Sequence, residues 1–131
     1  MATDPAFAAT INCGAVTVPA TLDASLTAPT NVATVFTAGA SGSKIEQIAL
    51  MQIANTTAGG LVNIFLYDGT TYHLFDQFQF GTLTLPTTTT TPRQDKYYAN
   101  LVLKTGWSVR ATVNVAAGQS AFKVFALGAD E

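Results

Sequence analysis

The densest apolar pattern in the chain lies over residues 61–80, LVNIFLYDGTTYHLFDQFQF, where two hydrophobic runs flank an Asp68-Gly69 turn signal. Such a pair of runs around Asp-Gly predicts a β-hairpin. Its register depends on the loop. A three-residue loop of Tyr67, Asp68 and Gly69, with the glycine left-handed, places Val62 and Ile64 beside Tyr72 and Leu74. That register gives a cleaner apolar face than a two-residue loop, and it groups Phe65, Tyr67, His73 and Phe75 on the opposite face. One-sided antiparallel strands carry polar residues there. The hairpin is therefore expected to be covered on both sides, by a second sheet, an arm or another subunit.

The cleanest period-two signal follows at 107–115. Trp107, Val109, Ala111, Val113 and Val115 alternate there with Ser108, Arg110, Thr112 and Asn114. Residues 97–103 read as a strand with Tyr97, Ala99, Leu101 and Leu103 on one face, and 121–127 as the last strand. Residues 31–38, NVATVFTA, are rich in β-branched side chains, and 44–55 read as a long strand with room for a bulge. Shorter strands are expected at 15–18, stopped by Pro19, and at 83–85, stopped by Pro86. The stretch 39–43, GASGS, and the threonine tract 87–91 read as loops. Residues 1–30 are expected to form an N-terminal arm and a first short strand, with Phe7 as the arm's large anchor. Residues 31–131 form the domain. About eight strands at near-regular spacing predict an all-β fold, a two-sheet antiparallel β-sandwich that is jelly-roll-like. Periodicity leaves the strand order open between a jelly roll and an immunoglobulin-like sandwich.

Composition narrows the class. With 131 residues, 48% of them hydrophobic, the chain can bury a proper core. Only 11% are charged, against roughly 25% in an ordinary soluble domain. The surface is therefore clothed in neutral polar residues or covered by partners. A net charge of -2 with six basic residues disfavours nucleic-acid binding. No basic residue precedes Lys44, so the positive segment of a signal peptide is missing, and no run of about 18 apolar residues points to a membrane span. The single cysteine, Cys13, has no internal disulfide partner, and cysteine-based zinc sites are excluded. Maturation in a reducing cytoplasm is expected.

Candidate chemistry is sparse. His73 is the only histidine, with Asp68 and Asp76 near it in sequence. A hydrolytic triad needs the imidazole within hydrogen-bond reach of both partners, and the preferred register turns Asp76 to the other face. A packing or interface role is expected for His73. Cys13 has no adjoining base and is expected to be a small, partly buried side chain. Trp107, with Phe75, Phe78 and Phe80, offers rings for stacking on a sugar, but its place on an apolar face favours core packing. Asp68-Gly69 lacks the alternating oxygen ligands of a calcium loop. No catalytic residue, cofactor or metal is expected, and the chain reads as a non-enzyme.

The order KIEQIALMQIANTT, VNIFLYDGTTYHL and YYANLVLKTGWSVRATVNVAAGQSAFKVFALGADE resembles the small β-sandwich structural proteins of tailed-bacteriophage virions, above all head decoration (cement) proteins. The resemblance rests on an I-x-x-I…AN-T strand, a strand-DGT-strand hairpin, an L-x-L-x-x-G-W-x-V-R-A segment and a last strand ending near A-x-G. It covers residues 31–129. It implies a virion component, made in the host cytoplasm, that binds the outer lattice of the major capsid protein, often as a trimer, and reinforces it. Contacts would then fall to the arm (Phe7, Ile11, Val16, Val18) and to the outer hairpin face (Phe65, Tyr67, His73, Phe75). A tail or head-fibre structural protein and a carbohydrate-binding sandwich module are the alternatives.

Overall fold

The computed structural model describes residues 10–130. Its strands are β1 (Thr10–Thr17), β2 (Ala33–Thr37), β3 (Ser43–Gln52), β4 (Gly60–Tyr67), β5 (Tyr72–Phe80), β6 (Arg93–Leu103), β7 (Ser108–Val113) and β8 (Phe122–Asp130). A single 3-10 turn, Ala116–Gly118, precedes β8. Pairing is antiparallel throughout: β1 with β8, β2 with β7, β3 with β6 and β4 with β5. The chain is thus one long two-stranded ribbon closed at the β4–β5 turn. Folding that ribbon over adds the β3–β8 and β4–β7 pairs. Two four-stranded sheets result, β1-β8-β3-β6 (sheet A) and β2-β7-β4-β5 (sheet B). This is the strand order of a jelly roll, and the all-β sandwich expected from the sequence is the fold observed.

The core lies between the inner faces. Ile48, Leu50, Val124 and Ala126 of sheet A meet Val62, Ile64, Phe78, Val109, Ala111 and Val113 of sheet B, all essentially without exposure. Strand β7 follows its alternation, with Val109, Ala111 and Val113 inward. Strand β3 carries the bulge that its length allowed, between Ile45 and Gln47 on both its pairings.

Several local expectations are corrected. The first strand, expected from 15, starts at Thr10 and pairs along its whole length with β8, so 10–14 also belong to the sheet. It is held by long-range pairing, which local composition does not display. The 83–85 segment forms only an isolated bridge, Leu83 with Thr56. In β6, Tyr97 and Leu101 do not share a face. The ladder slips between Ile45/Leu101 and Gln47/Tyr97, so Leu101 and Leu103 point inward while Tyr97 is 74% exposed. The hairpin closes at Tyr67–Tyr72 around residues 68–71, with Gly69 at φ 100°. A bulge between Ile64 and Phe65 then makes Phe75 the extra residue, opposing Ile64 with Asp76 and Phe65 with Leu74.

Candidate interaction surfaces

The hairpin residues expected on one face are dispersed by that bulge. Phe65 is fully buried on the outer side of sheet B, edge-on to Tyr72 at 5.9 Å. Tyr67 packs on Tyr72, with the Arg110 guanidinium 4.2 Å above its ring. His73 stacks on Trp107 at 5.9 Å, and its Nε2 lies 3.0 Å from Asp68 Oδ2. Phe75 is 39% exposed, 5.3 Å from the Tyr98 ring, and the His73 side chain is half exposed. Of the expected arm contacts, Val18 is buried, Val16 packs partly against the core, and Ile11 is 87% exposed. Phe7 lies outside the described residues. Phe65 and Val18 are therefore structural: no partner reaches them while the sandwich is folded. Cys13 is exposed on β1 rather than partly buried, and Trp107 packs against the core cluster as its alternation implied.

The carboxylates are engaged within the fold. Asp23 gathers the backbone N–H groups of Ser25, Thr30 and Asn31, which folds the β1–β2 connection upon itself. Asp68 accepts from the Thr71 N–H, from His73 and from the Thr70 N–H, which hold its carboxyl down at about 2. Asp130 accepts from the Ser43 hydroxyl and the Asn12 amide, joining β8 to β3 and β1, and is likewise lowered by them. Asp76 is half-buried. Burial alone would raise it, but bonds from Lys96 Nζ (2.7 Å), the Tyr98 hydroxyl (2.7 Å) and the Gln77 N–H together hold it below its ordinary value. Burial, and then the Asp76 carboxylate, push the Tyr98 phenol well up.

Asp76 marks the first of two surfaces. β5 and β6 are edge strands of opposite sheets, and side chains bridge them. Besides the Asp76 bonds, Lys96 Nζ donates to the Gln77 carbonyl and Gln94 Nε2 donates to the Gln79 carbonyl. Beside this seam a groove of about 330 Å³ opens between Phe75, Tyr97 and Tyr98, with Asn100 at its margin. A smaller cavity of about 200 Å³ sits at the other end of the seam, floored by Leu50, Phe80 and Phe122 and rimmed by Gln52, Gln79 and Gln94.

The second surface is the outer face of sheet A. Register places Ile11, Ala129, Lys44 and Val102 in one row across the four strands. Cys13, Leu127, Gln47 and Tyr97 form the next; Ala15, Phe125, Ala49 and Asp95 the third; Thr17, Lys123, Met51 and Arg93 the last. Ile11, Tyr97, Val102 and Leu127 are all exposed, at 87, 74, 58 and 38%. Exposed apolar side chains gathered on one sheet face make it a candidate interaction surface. Its charges are mostly satisfied internally, Arg93 by Asp95 at 2.7 Å and Lys44 by Glu46 at 3.4 Å, while Gln47 also donates to Asp95. The signal for this face was present in the sequence: residues 10–18 and 121–127 carry apolar side chains at both parities, as in a strand covered on both sides.

Among the described residues no cluster of three or more His, Cys, Asp or Glu side chains is placed to hold a metal ion, and no helix is long and apolar enough to cross a membrane. Comparison of the chain with protein-family models, with curated proteins and with solved structures finds no match.

Proposed function

We propose that the chain is an adhesive structural protein, a head decoration component of a tailed bacteriophage that binds the lattice of the major capsid protein and reinforces it. The observation that carries this reading is the apolar groove left outside a fully cored jelly roll beside the β5–β6 seam, where Phe75 stands exposed against Tyr98. Exposed apolar patches of this kind often mark an interaction site and are what a subunit of an assembly covers. The resemblance over 31–129 supplies the class of assembly. The fold is shared by many unrelated functions and supports the reading only as a compatible scaffold. The carboxylates and the single histidine are engaged in stapling loops and edges, which suits a scaffold. A sugar-stacking role for Trp107 is disfavoured, since one of its ring faces is taken by His73.

The Phe75–Tyr98 side of the groove is assigned to the capsid, with Phe75 as its anchor. Phe75→Asp should leave the fold intact and reduce capsid occupancy at least about tenfold, the scale expected when a charge replaces an aromatic ring that anchors an interface. Phe65→Asp is no substitute, because it places a charge in a buried site and unfolds the sandwich. Full occupancy by Phe75→Asp would refute the groove assignment. Copy number on purified virions tests the location: hundreds support the head, whereas a few per particle would move the protein to the tail.

A further inference from the structure

We infer that the outer face of sheet A is covered by a second copy of this chain, through a two-fold axis that runs along the strands between β8 and β3. This goes beyond the capsid reading and does not depend on it, since it requires no phage partner. Three observations bear on the choice of occupant: extent, charge and relief.

Four strands about 4.8 Å apart and rows spanning about 25 Å make a patch of roughly 500 Å² in projection. Side-chain relief makes its accessible area larger than that projection, and a standard interface buries roughly 800 Å² per partner. The charges of the face lie in its outer rows or are already neutralised by neighbours on the same sheet, through Lys44–Glu46 and Arg93–Asp95. Lys123 stands in the last row, at the rim. Two such faces therefore close on one another without stranding a charge in the middle, which is the apolar-centre, polar-rim anatomy of a specific interface.

Relief decides the axis. In the two middle rows β8 carries Leu127 and Phe125 and β6 carries Tyr97, whereas β1 carries only Cys13 and Ala15. An axis along the strands lays β1 on β6 of the second copy and β8 on β3. Tyr97 then falls over Cys13 and Ala15 of the second copy, Leu127 over its Gln47, and Ile11 over its Val102. Large meets small where Tyr97 lies, as in the interdigitated faces of packed sheets about 10 Å apart. An axis across the strands would instead put Val102 on Arg93 and Tyr97 on Asp95, burying apolar groups against charges. A two-fold pair uses this one self-complementary patch, whereas a trimer needs two different patches on each copy.

The test uses the full chain. Light scattering should give a dimer, and Val102→Lys, at an already exposed position, should weaken it about tenfold or more while thermal unfolding stays cooperative. Thr17→Cys with Arg93→Cys, in a Cys13→Ser background, places thiols on the rim where this axis brings the two residues face to face, so a short bismaleimide should capture a covalent dimer. The wild-type chain should resist the same reagent, because its two Cys13 thiols would lie about 17 Å apart, three strand spacings across and one sheet spacing deep. A monomer at the highest soluble concentration, a trimer, or a dimer that the Thr17/Arg93 pair fails to capture would each overturn the inference.

Discussion

At the scale of the residue, this protein spends its acids on its own edges. Asp76 ties β5 to β6 through Lys96 and Tyr98, Asp130 ties β8 to β1 and β3, and Asp23 and Asp68 fold loops around themselves. All four carboxyls are lowered in the folded chain. A lowered carboxyl contributes stability that is present above its unfolded value near 3.9 and disappears as the pH falls through the folded value. Stability should therefore be flat between about pH 5 and 7 and fall below about pH 4, toward about 2. Urea midpoints across that range check it. Asp76→Asn should flatten part of the acid loss; an acid slope equal to wild type would mean that the seam contributes nothing to folding.

At the scale of the element, the bulges decide more than the strands. One extra residue in β5 turns Phe75 out to the groove and leaves Phe65 buried, and the slip in β6 sends Tyr97 outward while Leu101 and Leu103 go in. Glycine has the opposite use where strands press together. A Cβ at Gly14 of β1 would collide with the Val35 carbonyl of β2, so only glycine lets the two edges close this side of the sandwich. Gly14→Ala should cost about 1–3 kcal/mol, the range for overpacking in a rigid interior. Equal denaturation midpoints for variant and wild type would show that β1 shifts away freely.

At the scale of the whole molecule, the jelly roll is a ribbon whose two ends pair with each other. Strand β1 packs Val16 against the core, with Val18 buried just past its end, and covers the edge of β8. A chain beginning at residue 10 keeps every pairing described above and should still unfold cooperatively. A chain beginning at residue 18 exposes the β8 edge and should lose cooperative unfolding or aggregate, since an uncovered hydrophobic edge strand recruits others. Cooperative melting of both forms would show that β1 is dispensable, contrary to its place in the ribbon.

What the sequence determined by itself was the class. Alternation at 107–115, the apolar runs around Asp68-Gly69 and the regular spacing of turns made the chain all-β and two-sheeted, because period two records which face is buried. The room for a bulge in 44–55 was legible for the same reason. The tertiary structure alone decided strand order, the inclusion of 10–17 in sheet A and the faces taken by Phe65, Phe75 and Tyr97. These depend on strand pairing between residues distant along the chain, Thr10 opposite Asp130 or Ile45 opposite Leu101, and on slips in register that invert parity. Local propensity carries no record of such partners. The exposed face of sheet A stood between the two: its apolar residues were plain in the chain, but only the assembled sheet set them side by side.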